Sequence, residues 1–427
     1  MKGWFSNGMN RITRLQTFLI IAIAFLIGVY VGTNKVSLDW KNYKPSLKVI
    51  SKEPPASIST VNFQSFWQVW QKLEGSYYDK TKLDPQKMLN GAISGMVESL
   101  DDPFTVYLPP TQNNDFKQGL AGQFQGIGAE LGTKDKRIIV IAPLNGSPAQ
   151  KAGVRAGDII LKVDGQSTES WNLPKAVEEI RGPKGSSVVL NILHKDEKAP
   201  RDIKITRDVI TIKSVDGYVK KIKDIDEIKI PPQIAEKRVV YISLSQFGDN
   251  TNQEWLSLVN KLNLEQKKLG AEGLIFDLRN NPGGYLSDAS FIASEFLEMG
   301  QSVVIQDKAN GEQNTLKANR RGLFTSMPMI VLINKGSASA SEIVAASLRD
   351  HSRAKLLGET SFGKGTIQEA TDLGDGAGLH ITIAKWLTPN GDWVNGSGLK
   401  PDIEVEFDTK DVAHDAQLER AIVELVK

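Results

Sequence analysis

The chain has 427 residues, room for two to four domains at about 150 residues each. Lys and Arg number 52 against 50 Asp and Glu, a net charge of +2 that gives no basic face for nucleic acid. Cysteine is absent and only four histidines are present, none in an H-E-x-x-H pattern, which excludes disulfides, thiol nucleophiles, zinc fingers, iron–sulfur clusters and a zincin-type metal site. Chemistry must therefore run on Ser, Thr, Lys, Asp, Glu or backbone groups, and no cofactor is expected.

Residues Phe18 to Gly32 form an uncharged apolar run, preceded by Lys2, Arg11 and Arg14 and followed by Lys35. Extended to Leu15 and Thr33, it would make about 28 Å of helix, nearly a hydrocarbon core. No small-x-small site follows directly, so an uncleaved membrane anchor is expected in residues 1–33 in preference to a cleaved signal peptide. No second apolar run occurs, so the remainder is expected on one side of the membrane, outside the cytoplasm. Residues 34–60, with Pro45, Pro54 and Pro55, read as a tether.

Residues 61–112 read as a helical region. Phe63, Phe66, Trp67, Trp70 and Leu73 recur at helical spacing, and Asp84-Pro85 is a helix start leading into a stripe of Met88, Leu89, Ala92, Ile93, Met96, Val97 and Leu100. Both stripes are expected to pack into a core. From 113 to 210 short strands are broken by glycines. A connector (211–235) then leads to a strand–helix–strand rhythm up to 405, with a last helix in 406–427, so the fold class is multidomain α/β and α+β.

Three segments could carry chemistry. Asn334-Lys335-Gly336-Ser337-Ala338-Ser339-Ala340-Ser341-Glu342 lies where a buried strand turns into a helix, a place where small residues admit a substrate and helix-start amides can hold an oxyanion. Ser361-Phe362-Gly363-Lys364-Gly365-Thr366-Ile367-Gln368 places a lysine between two glycines; desolvated, its amine could take a serine proton. It is a near match to a phosphate loop, but Gly365 stands where Ser or Thr must hold magnesium, so that reading fails. Asp277-Leu278-Arg279-Asn280-Asn281-Pro282-Gly283-Gly284 is a tight turn able to expose amides. Taken singly, each reads more readily as an ordinary loop; together they make a nucleophile, a base and an oxyanion donor.

With LDDPFTVYLPP (Leu100 to Pro110) and LKPDI (Leu399 to Ile403), these segments resemble, in their order along residues 61–405, the carboxyl-terminal processing proteases, tail-specific serine proteases with a PDZ domain. The resemblance implies a crotonase/Clp-protease-like α/β catalytic core at 211–405, a PDZ-like peptide-binding module at 113–210, and a Ser–Lys dyad. It makes Ser339 the nucleophile, Lys364 the base 25 residues later, Gln368 the residue that orients the amine, and the amides of Ala340 and Gly284 the oxyanion donors. Tyr285 stands where many relatives have an aliphatic residue. His351 is a rival base, but it falls some three turns along the nucleophile's helix and reads as a C-terminal cation there.

The resemblance also places recognition of a substrate C-terminus on Gly126, Ile127 and Gly128, and makes Arg181 a candidate for coupling that module to the core. The implied partners are proteins with apolar C-terminal tails and the membrane, with a homo-oligomer or an adaptor lipoprotein as further candidates and nucleic acid excluded. The implied location is the bacterial cytoplasmic membrane with the catalytic part outside, or secretion after cleavage. The competing readings are an inactive PDZ adaptor at the membrane and a crotonase-like acyl-CoA enzyme.

Overall fold

The computed structural model describes residues 16–23, 25, 36–41, 44–49, 61–134, 136–144, 146–194, 197–226, 228–406 and 414–427. Most of the expected membrane segment lies outside them; 16–23 and 25 are helical. Among the described residues, no helix is long and apolar enough to cross a membrane. Val36–Lys41 and Lys44–Val49 pair as an antiparallel hairpin, where a tether was expected.

The chain divides into two units, residues 1–88 and 89–427. In the first, the helix Gln64–Ser76 buries none of its residues. Phe66, Trp67 and Trp70 pack on one another, with ring centroids 5.0 to 6.3 Å apart, and Trp67 stays 56% exposed. The expected core stripe is therefore amphipathic but uncovered in the single chain. The helix Pro85–Glu98 starts as its sequence dictates, Asp84 accepting from the amides of Gln86 and Lys87. Of its expected core stripe only Val97 is buried, with Ile93 packed nearby; Met96 is 66% exposed. Helical periodicity fixed the face, but burial needs a partner surface that local spacing does not reveal.

In the second unit, residues 113–210 hold a six-stranded antiparallel sheet: Arg201–Thr206, Ser187–Leu193, Ile159–Val163, Arg137–Pro143 and Ala129–Lys134 in order, with Gln166–Ser167 beside Ile159–Val163. The helix Leu173–Ile180, capped by Asn172, lies by its edge, and Gln123–Gly126 pairs with Asp208–Thr211 so that the module begins and ends at one place. Its core is aliphatic, built on Ile138, Val140, Ile160, Val188, Leu190 and Ile192. Alternation along Ser187–Leu193 puts every second side chain there.

The other sheet runs Val215–Lys221, Arg238–Leu244, Leu274–Asp277, Met329–Ile333, Lys355–Gly358 and Ile403–Glu404. The first pairing is antiparallel and the other four are parallel. Leu274–Asp277 and Met329–Ile333 are buried at every residue because helices cover both faces, so they read as unbroken apolar runs but for Asp277 at the end of the first. Thr251–Leu269, Leu286–Ala293 and Ala340–Asp350 pack on one face around Trp255, Phe276 and Phe296, and the helix Ala416–Val426 closes the other through Leu418, Ala421 and Ile422. A second mixed-length sheet, with Ser302–Lys308 and Thr366–Asp372 on either side of Gly378–Leu387, takes in Val106–Leu108 from far up the chain. The three aromatics touch at 5.1 to 5.9 Å and are fully buried. Phe276→Ala should lower unfolding stability by about 3–5 kcal/mol in urea titration, the range for a truncated core aromatic.

Candidate active site

The three chemistry-bearing segments follow the C-terminal ends of three adjacent parallel strands, where open α/β sheets place their ligand crevices. Leu274–Asp277 runs into the Pro282-Gly283-Gly284 turn, Met329–Ile333 into Ser339, and Lys355–Gly358 into Lys364. They line one cleft of about 520 Å³, together with Phe104, Phe116, Gln368 and His380.

Of the three serines in the S-A-S-A-S run, two are structural. Ser337 is fully buried and donates to the Leu278 carbonyl at 2.8 Å; Ser341, also buried, reaches the carbonyls of Asn281 and Ala338. Ser339 donates to no main-chain carbonyl among the described residues and lines the cleft. It is the N-cap of Ala340–Asp350 with φ 55° and ψ −116°, a strained backbone of order 1–3 kcal/mol. Glu342, at the third helical position, completes a capping box by accepting the Ser339 amide at 2.8 Å.

That carboxylate does more. Fully buried, Glu342 also accepts from the Ser361 hydroxyl at 2.5 Å and from the amides of Gly363 at 2.7 Å and Lys364 at 2.9 Å. One charge thus fastens the Ser339 backbone to the lysine loop. The spacing S-x-x-E ahead of an apolar helix could have signalled it in the sequence. The lysine loop is tied on its other side by Trp386 and Trp393, whose indole N–H groups donate to the carbonyls of Lys364 and Gly365. Gly363 has φ 86°, and a Cβ on Gly365 would stand 2.6 Å from Trp393 Nε1, so glycine is required on both sides of the lysine.

Lys364 is half-buried, with Nζ 5.0 Å from the centroid of the Phe104 ring. Burial pushes its pKa below the ordinary lysine value, while the carboxylates of Asp102 and Glu342 pull the other way. Gln368 Nε2 donates to the hydroxyls of Thr366 at 2.8 Å and Thr382 at 3.0 Å. His380 packs edge-on against Phe116, and burial followed by the Lys364 charge lowers its pKa. Thr382 and His380 carry no recognisable pattern of their own, and the resemblance gives no role to the Asp102–Thr105 part of LDDPFTVYLPP; the strand pairing of Val106–Leu108 brings them in.

The glycine turn presses directly on the nucleophile. A Cβ on Gly283 would come within 2.8 Å of Ser339 Cβ, and one on Gly284 within 1.8 Å of the Phe247 carbonyl oxygen. Asn281, fully buried, takes the Gly283 amide on its side-chain oxygen at 2.9 Å and donates to the Leu244 carbonyl. Phe247 accepts from Tyr285 N–H and donates to the Gly283 carbonyl, both at 2.9 Å. The amides of Gly284 and Ala340 donate to no described residue and border the cleft. Tyr285 adds a hydroxyl bond to Asp249 at 2.8 Å; burial and then that bond raise its pKa to about 12, so it stays a neutral donor. Arg279 holds the turn's other side, pairing with Asp277 at 2.6 Å and Asp415 at 2.7 Å.

The remaining expected residues fall elsewhere. Gly126, Ile127 and Gly128 border a separate cleft of about 190 Å³ in the β-rich module, with Leu131, Val177 and Ile180. Gly128 has φ 71°, and a Cβ there would meet Ser147 Cβ at 2.6 Å; the amides of Ile127 and Gly128 donate to no described residue. Arg181 borders the same cleft with its guanidinium 5.1 Å from the Phe124 ring, and does not line the cleft that holds Ser339 and Lys364. His351 caps the far end of the helix, its Nε2 at 2.8 Å from the Ser302 carbonyl, out of the cleft as the spacing required.

Glu342→Gln replaces an acceptor-only group with one that turns an NH₂ toward amide donors. It should cost about 2–4 kcal/mol in denaturant titration and reduce peptidase activity at least about 100-fold.

Comparison with known proteins agrees with this architecture. Residues 238–405 match the model of Peptidase family S41, 116–193 that of the PDZ domain, and 22–111 that of the activating protease CtpB N-terminal domain. The chain is 37% identical to the carboxy-terminal processing protease CtpA of Bacillus subtilis (strain 168) over 352 residues, covering 82% of this chain and 71% of that one. With CtpB of the same organism it shares 34% over 384 residues, covering 89% and 74%. It superposes on the photosystem II D1 C-terminal processing protease with a TM-score of 0.50 at 30% identity, covering 85% of this chain and 96% of that one. A chain whose PDZ module precedes an α/β core with Ser339 at a strained strand–helix junction, and which is 37% identical to such a relative over 352 residues, belongs to the carboxy-terminal processing serine peptidases.

Proposed function

We propose that the protein is a membrane-anchored endopeptidase that captures substrate C-termini on its PDZ module and cuts peptide bonds with a Ser339–Lys364 dyad. The observation that carries the dyad is the convergence, on one cleft, of the one serine of its run not bonded to a main-chain carbonyl, a desolvated lysine, and two uncommitted amides. Ser339 Oγ attacks the scissile carbonyl as Lys364 Nζ takes its proton. The amides of Gly284 and Ala340 receive the oxyanion. Collapse expels the amine, protonated by Lys364, and leaves an acyl-enzyme. Lys364 then draws a proton from water, which hydrolyses the ester. Gln368, its NH₂ occupied by two hydroxyls, offers its carbonyl oxygen to the lysine ammonium. An adaptor without activity would have no use for the charge that joins these two loops.

Proteins with apolar C-terminal tails suit the apolar walls of the module's cleft, and the free amides of Ile127 and Gly128 suit a terminal carboxylate. The apolar run with flanking cations in residues 15–33 supports a single anchor in a bacterial cytoplasmic membrane, with the catalytic part outside.

Mass spectrometry on casein as an unfolded probe should show cleavage by the parent chain and loss of at least about 1,000-fold in Ser339→Ala and Lys364→Ala. The base works only as a neutral amine, so kcat/KM should rise with pH through the Lys364 pKa, with that limb below the ordinary lysine range. Equal cutting by Lys364→Ala would end the dyad reading. For the module, a peptide with an amidated C-terminus should bind at least about 10-fold more weakly than its free acid by calorimetry, the worth of a charged hydrogen bond.

A further inference from the structure

The segment Asp102-Pro103-Phe104-Thr105 precedes the whole PDZ module in the chain, yet it forms part of the catalytic cleft. The strand that follows it, Val106–Leu108, pairs antiparallel with Gly378–Leu387, setting Val106 opposite His380. Phe104 covers Lys364 Nζ, and both Pro103 and Phe104 line the cleft. Asp102 is fixed from its own segment: its Oδ1 accepts the Phe104 amide at 3.0 Å and its Oδ2 the Thr105 hydroxyl at 2.7 Å. Thr105 is buried and accepts the Thr382 amide at 3.0 Å. Gln368 Nε2 in turn donates to Thr382 Oγ1.

A carboxylate can only accept, so the Thr105 hydroxyl spends its proton on Asp102 and its oxygen is left to accept the Thr382 amide. That bond holds the Thr382 main chain, and the Thr382 side chain in turn takes the Gln368 NH₂. Building on the dyad reading, we propose that Asp102 is a positioning residue of this active site. It holds Gln368 in place through Thr105 and Thr382, and it supplies a counter-charge for the ammonium formed when Lys364 takes the Ser339 proton.

The electrostatics agree with the geometry. Burial works to raise the Asp102 pKa, but the bonds from Thr382, Thr105 and Phe104 and the charge of Lys364 outweigh it and hold it below the ordinary value, so it is ionised at neutral pH. The charged or titratable groups that face Lys364 are Asp102 from this segment, Glu342 from the helix Ala340–Asp350, and His380 from the strand Gly378–Leu387. The pKa of His380 is lowered, leaving it uncharged near neutrality, so the two carboxylates set the local field. Removing Asp102 removes one of the two pulls that favour the ammonium, and the Lys364 pKa falls.

The test uses the full chain, with casein and a fluorogenic peptide with an apolar C-terminus as probes. Asp102→Asn keeps an acceptor for the Phe104 amide and should retain the wild-type thermal midpoint within a few degrees. Its kcat should drop about 10- to 100-fold with KM within about twofold, the cost of a misplaced base. The ascending limb of its pH profile should move to lower pH, which a merely structural defect would not produce. Thr382→Val breaks the relay but keeps the charge, so it should lose kcat to a similar degree with the limb unmoved; Asp102→Glu should recover part of the rate. Wild-type kcat in both Asp102→Asn and Thr382→Val, or an Asp102→Asn limb at the wild-type pH, overturns the assignment. Lys364→Ala, run in parallel, separates the two failures, because retained activity there refutes the dyad itself.

Discussion

Everything in the catalytic cleft depends on the carboxylate of Glu342. It stands on the first turn of a buried helix, where the dipole favours a negative charge, and receives four donors from two loops. A buried charge is tolerable only when its lone pairs are filled, and here Ser339, Ser361, Gly363 and Lys364 fill them. The same bonds hold the strained backbone of Ser339, which no local preference would stabilise. Ser339 and Lys364 lie on loops that follow separate strands and have no covalent reason to meet; the carboxylate supplies the physical one.

A lysine can serve as a base only if its environment disfavours the ammonium without forbidding it. Burial against Phe104 does the first, and the carboxylates of Glu342 and Asp102 prevent the second. The balance suits a group that must be neutral before attack and charged after it. A histidine would need no such tuning, yet the only one in the cleft, His380, is packed against Phe116 and faces the lysine, not the serine run.

Much of this was legible in the sequence. The three loops were readable because each carries small residues at a strand end, and their order along the chain carried the family resemblance. Ser339 could be chosen over its neighbours only by that resemblance; the structure adds the reason, since Ser337 and Ser341 spend their hydroxyls on main-chain carbonyls. Glu342 was in view but unread, although its S-x-x-E spacing is a capping signal. Asp102 and Thr105 lie in the LDDPFTVYLPP stretch that carried the resemblance, but their place beside Lys364 and Thr382 could not be read, because it arises only through the pairing of Val106–Leu108 with Gly378–Leu387. The aromatic stripe of Gln64–Ser76 and most of that of Pro85–Glu98 show the opposite failure: periodicity was right, but nothing among the described residues covers them.

The attachment of the PDZ module follows the same economy of contacts. Its two ends, near Leu120–Gly122 and Ile212–Ser214, are joined to each other by the Ile212 amide on the Gly122 carbonyl and seated together on the segment Gln246–Glu254. Gln246 donates to the carbonyl of Gly119, the Asp249 amide donates to that of Leu120, and Ser214 binds the Glu254 carboxylate. Gly248 must be glycine, because a Cβ would stand 2.0 Å from the Leu120 carbonyl oxygen. Between these ties lies Phe247, buried, whose amide and carbonyl both hold the Gly283–Tyr285 turn, while Tyr285 reaches back to Asp249. The segment that seats the module is therefore the segment that shapes the Gly283–Tyr285 turn. Four residues of main chain serve both tasks, so the module's attachment cannot shift at Asp249 or Gln246 without moving the groups on either side of Phe247.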